Sequence, residues 1–227
     1  MRDFEIEQVS LNFKWSYKTI IPSLPIIGTE AFAVLCKKLS PFGLTASGII
    51  ADAPTNKLGD AQMTIILLDG RLGVKFSVSS FEILGDNLLE GDRQIVADIG
   101  GIAFEALKKI DEEVIVGIAK IRLMYHLSLE PNENKKILLE HLNLTNGNPQ
   151  LSPEMAIYQV NLGEDSNLQN SKVGIAESLA YNNSIFFDVS LDYLGSENFL
   201  EFTDNIKNDV ALIFNVFGLN GEKSIID

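Results

Sequence analysis

Val9, Leu11, Phe13, Trp15 and Tyr17 alternate with Ser10, Asn12, Lys14, Ser16 and Lys18, which predicts a strand with one apolar and one polar face. After "IPSLPIIG", Thr29 is placed to cap a short helix in which Phe32, Leu35, Cys36 and Leu39 share a face, ended by Pro41 and Gly43. "LTASGII" and "QMTIILL" read as strands around the polar loop "ADAPTNKLGD". Asp69-Gly70 fits a hairpin turn with positive φ at both central residues. Val74, Phe76 and Val78 carry the next strand, and the stretch after it reads as the start of a helical pattern. From Asp92 the period is helical, with Ile95, Ile99, Ile102, Ala106 and Ile110 on one stripe.

A second pass repeats this order. Ile121, Leu123, Tyr125, Leu127 and Leu129 alternate with Lys120, Arg122, Met124, His126 and Ser128. "KKILLEHL" is a short helix, and "EMAIYQVNL" and "KVGIAESLA" read as strands around the polar loop "GEDSNLQNSK". Asn182-Asn183 stands where Asp69-Gly70 stood, "SIFFDVSL" is a strand, and a helix through Ile206, Val210, Ile213 and Phe217 stops at Gly218. The fold class is α+β: a βαβββα unit present twice, at 1–111 and 112–227, in one integrated domain. Short connections predict a largely antiparallel sheet of about eight strands with the long helices on its apolar face.

Composition narrows the classes. Of 227 residues, 46% are hydrophobic, enough for a sizeable core, and the formal net charge of −13 argues against broad nucleic-acid or anionic-membrane binding. The single cysteine, Cys36, leaves no internal disulfide framework, "MRDFEIEQVS" lacks the apolar core of a signal peptide, and no apolar run is long enough to span a bilayer. The expectation is a cytoplasmic protein.

Chemistry motifs are absent. There is no CxxC, HExxH, GxSxG or Walker loop, and the sequence predicts no cofactor, no metal site and no catalytic residue. Gly100-Gly101 lies inside a helical stripe and reads as close packing, and Asp111, Glu112 and Glu113 as a turn. His126 and His141 read as surface residues. Asp188 and Asp192 point the same way on one strand, fit for a cation or for acid and base, although a solvated sheet edge explains them more simply.

One asymmetry stands out in so acidic a chain. Lys14, Lys18, Lys120, Arg122 and His126 occupy the polar faces of the two equivalent strands. Side by side, these strands would form a basic strip for a small anion or an acidic partner segment, with Arg122 offering bidentate geometry; solubilising charge is the plainer reading.

"VGIAKIRLMYHLSL", "SIFFDVSLDY" and the long Phe-ended final helix resemble a sporadically distributed family of uncharacterised bacterial proteins. The resemblance implies a cytoplasmic protein of defence or mobile-element distribution, and carries over no catalytic residue. The functional expectation is a non-catalytic binding or assembly protein acting through protein contacts or self-association. The alternatives are a small-ligand module with a pocket between sheet and helices, and a carboxylate-dependent hydrolase.

Overall fold

The computed structural model describes residues 1–21, 30–52, 61–88, 92–110, 116–130, 132–142, 155–162, 168–194 and 199–224. Thr29, most of "ADAPTNKLGD" and the acidic run at 111–113 lie outside the described residues.

The two alternating stretches are the long strands β1 (Phe4–Tyr17) and β6 (Val116–Leu129), paired antiparallel from Phe4↔Leu129 to Tyr17↔Val116. They form the middle of one antiparallel sheet. On the first side follow β5 (Ser80–Leu88), β4 (Leu72–Ser77), β3 (Gln62–Leu67) and β2 (Ile49–Asp52). On the second follow β9 (Ser184–Leu194), β8 (Leu168–Glu177) and β7 (Met155–Gln159). The helices are α1 (Glu30–Leu39), α2 (Asp92–Ile110), α3 (Glu133–Leu142) and α4 (Phe199–Val216).

The sheet has nine strands rather than about eight. The extra one is β5, whose sequence reads as helical because its alternation breaks after Ile83. Leu84 is exposed, Gly85 is buried and Asn87 takes φ 50°. The β1 register absorbs this break, stepping from Leu11↔Gly85 to Val9↔Leu88, so the bulge keeps Leu88 on the buried side. β8 likewise begins at Leu168, inside the stretch expected to be loop.

Turn chemistry is partly as expected. Asp69 (φ 54°) and Gly70 (φ 92°) are left-handed, but Leu68 (φ 51°) is too, and the turn joins β3 to β4. Of the asparagine pair only Asn183 (φ 59°) is left-handed, and that turn joins β8 to β9. The two turns therefore hold different places in the sheet. Gly218, at φ 73°, does end α4.

One face of the sheet is apolar, and aromatic rings join it to the helices. Trp15 of β1 stacks on Phe104 of α2, ring centroids 4.8 Å apart. Phe214 of α4 meets Phe4 at 5.3 Å, Tyr125 at 5.1 Å and Phe187 at 4.7 Å, so one ring touches β1, β6 and β9. Behind them, Tyr193 donates its hydroxyl hydrogen to Oδ2 of Asp209 on α4 at 2.7 Å. The chain's first residues close the far end. Arg2 N donates to Gly218 O (2.7 Å), Asn220 N donates to Arg2 O (2.9 Å), and the Arg2 guanidinium pairs with Glu133 and Glu140 of α3. No described helix is long and apolar enough to cross a membrane.

Candidate binding face of the sheet

Side chains alternate across a strand, so the residues between the core positions share the opposite face. The four helices send buried side chains into the core, and the opposite face carries exposed Asn12, Lys14, Lys120, Arg122 and Lys172. Registers arrange it in rows. One row reads Lys75, Glu82, Lys14, Lys120, Asp192, Asn170 across β4, β5, β1, β6, β9 and β8. The next includes Asn12, Arg122, Ser190, Lys172 and Gln159.

The structure brings the expected basic residues onto neighbouring strands and also supplies counter-charges. Lys14 and Lys120 are direct cross-strand partners, a like-charge pair that costs stability unless offset. Lys14 Nζ lies 2.8 Å from Glu82 Oε1. Arg122 grips Asp188 with both ends of its fork, Nε to Oδ1 at 3.0 Å and Nη2 to Oδ2 at 2.8 Å. Its bidentate geometry is thus already used within the sheet. Asp188 is correspondingly no free acid or base, and Asp192 accepts from Asn170 Nδ2 at 3.5 Å. Lys18 lies at the end of β1, its Cγ beside Gly117.

Among the described residues, Lys120 and Lys172 are exposed and their side chains make no hydrogen bond or ion pair; the same holds for Lys18 past the end of β1 and for part-buried Lys75 on β4, but only Lys120 and Lys172 flank β9. Lys172 escapes the sequence reading although it opens "KVGIAESLA", read as a strand, because nothing in the sequence places that strand two away from Arg122; the alternation Lys172, Gly174, Ala176 against Val173, Ile175 was the available signal for its face.

His126 belongs to a different cluster. Ser178 Oγ accepts the backbone N–H groups of Ala180 (3.3 Å) and Tyr181 (3.0 Å), which occupies both lone pairs. Its own hydrogen therefore goes to His126 Nδ1, 2.8 Å away, leaving the imidazole neutral with its hydrogen on Nε2. Burial lowers the His126 pKa, which agrees. Ser178 thus clasps the hairpin between β8 and β9. The imidazole also packs against Tyr181 and Phe186, and Tyr181 donates to Gln8. His141, expected at the surface, is half-buried against Tyr158 and Phe217, and burial lowers its pKa.

On the helical side, a groove between α1 and α2 is lined by Val34, Lys38, Ile102, Glu105 and Lys109. It has room for about 10 Å³, roughly one water, far below the roughly 300 Å³ at which ligand pockets begin.

No protein-family model matches the chain, and comparison with curated proteins gives no match. Among solved structures the chain is similar to a rolling circle replication initiator protein from Geobacillus stearothermophilus. The identity is 8% and the TM-score 0.34, over 91% of this chain and 83% of that one. That neighbour corrects the expectation of a non-catalytic binding or assembly protein, which is set aside with its alternatives. At this TM-score the likeness puts no other activity in its place.

Proposed function

We propose that the open sheet face binds the anionic group of a ligand at Lys120 and Lys172, with Arg122 between them. One observation carries this reading: in a chain of net charge −13, these two lysines stand exposed and unpaired on strands flanking β9, while Lys14 and Arg122 nearby are neutralised. Lys172 neighbours Ser190 from β8 and Lys120 stands diagonal to it on β6, so an anion above Ser190 meets an unpaired lysine from each flanking strand, and the surrounding acidic surface repels poorly aligned polyanions.

The same reading takes 1–111 and 112–227 as two copies of one unit in a single integrated domain. What supports it is the order outward from the β1–β6 seam: β5, β4, β3 on one side and β9, β8, β7 on the other. The lone Cys36 supports a cytoplasmic setting.

The test is fluorescence anisotropy of a short fluorescein-labelled peptide of alternating glutamate and serine, at about 20 mM and about 300 mM salt. The Lys120→Gln/Lys172→Gln double variant is expected to bind about two- to tenfold more weakly at low salt, the sum of two exposed ion pairs. High salt should remove the difference. Equal affinity at low salt would refute the proposal.

A further inference from the structure

The open face has an apolar end beside its free lysine. On β7 Ile157 is 69% exposed, and Met155 lies against Gly174, its sulfur 3.0 Å from where a Cβ would stand. Phe186 of β9, part-exposed on the same face, continues the Met155 row across Ala176, while Asp188 bounds the patch toward β6. Methionine thioethers adapt to the shape of whatever covers them. Gly174 pairs with Ile157, and Lys172 pairs with Gln159, one pleat repeat further along β8. Antiparallel strands rise about 3.4 Å per residue, so the apolar patch and the Lys172 backbone position are about 6.8 Å apart.

That spacing is the i, i+2 repeat of an extended polypeptide. Building on the anion-binding reading above, we infer that the ligand is an extended segment of a partner protein lying along β8, with a bulky apolar side chain on Ile157 and Met155 and an acidic side chain two positions away on Lys172. Charge selects the acidic residue, since Lys172 is unpaired and Arg122 keeps Nη1 uncommitted to Asp188. The absence of a side chain at Gly174 keeps the floor low enough for Met155 to lie flat and present its flank outward.

The experiment uses the full chain and labelled peptides in a serine background, each with one leucine and one glutamate, either adjacent, two positions apart or three apart. The two-apart peptide is expected to bind about threefold or more tightly than the others, with Ile157→Ser abolishing that preference and Lys172→Gln weakening it. Ile157 is an exposed edge position, so its replacement leaves the core intact. Equal binding of all three peptides, or a preference that survives Ile157→Ser, overturns the inference. If the glutamate–serine peptide binds and leucine adds nothing, this inference fails alone. If no peptide binds, the anion-binding reading fails with it.

Discussion

Phe214→Ala removes the ring through which α4 holds the sheet. The side chain is fully buried and touches rings from three strands. Truncating a core phenylalanine costs about 3–5 kcal/mol, and edge-to-face contacts with Tyr125 and Phe187 put this site toward the upper end. A chain of this length loses about 2–4 °C of melting temperature per kcal/mol, so the expected drop is about 8–20 °C. Far-UV circular dichroism reads the helices. Fluorescence reads Trp15, the single tryptophan, which stacks on α2 in the other half of the chain. If the sheet and its helices form one cooperative unit, both probes move together. A drop below about 4 °C, or a circular dichroism transition that falls while the Trp15 transition stays put, would refute that account of the core.

Three further outcomes follow from individual contacts. Burial raises the Asp209 carboxyl above its ordinary range, so the folded state binds its proton more tightly and this group's contribution to stability falls as pH rises through that window. Asp209→Asn should therefore be no less stable than wild type at pH 7 in a urea titration, whereas Asp209→Ala, which deprives Tyr193 of this acceptor, should lose about 1–3 kcal/mol; the reverse ranking would overturn the assignment. His126 has the opposite sign: its folded pKa is depressed, so its stabilising contribution is complete above the ordinary value of about 6.5 and is lost as pH falls through the folded pKa. An NMR titration should give a midpoint below 6.5 and faster exchange of the Tyr181 amide on the acid side, and a midpoint at or above 6.5 would contradict the clasp. Gly221→Ala would drive a Cβ into the Ala211 carbonyl oxygen, so it should lower the melting temperature by several degrees and loosen the Arg2 amide, while an unchanged melting temperature would show that the turn yields freely.

Much of the architecture is legible where burial imposes a clean period. β1 and β6 declare themselves by strict alternation, α2 by its stripe from Asp92, and the end of α4 by Gly218. β5 is hidden because the outward position holds apolar Leu84 and the inward one Gly85, so its polarity does not alternate although its side chains do, and a bulge at Asp86–Asn87 then shifts Leu88. Asp69-Gly70 and Asn182-Asn183 look equivalent because turn propensity is local, whereas which strands a turn joins depends on pairing across the sheet. The candidate site was half visible. That Lys120 and Arg122 share a face follows from spacing alone, but the neutralisation of Lys14 by Glu82 and of Arg122 by Asp188 depends on which strands become neighbours.

The tie between Arg2 and the end of α4 bears on how the chain is made. β1 sits mid-sheet, and its neighbour β6 begins only at Val116. The partners of Arg2, Gly218 and Asn220, lie 216 and 218 residues further along the chain. At about 5–20 residues per second, the first strand waits on the order of ten to forty seconds for its final contacts. Until β6 emerges, the edge of β1 that will pair with it presents unpaired backbone N–H and C=O groups to strands of other chains, beside the bare apolar face of Val9, Phe13 and Trp15. The nascent protein is therefore most vulnerable to aggregation on the ribosome, before β6 arrives, and any factor that shields this N-terminal segment would raise the yield of native protein without changing its final stability.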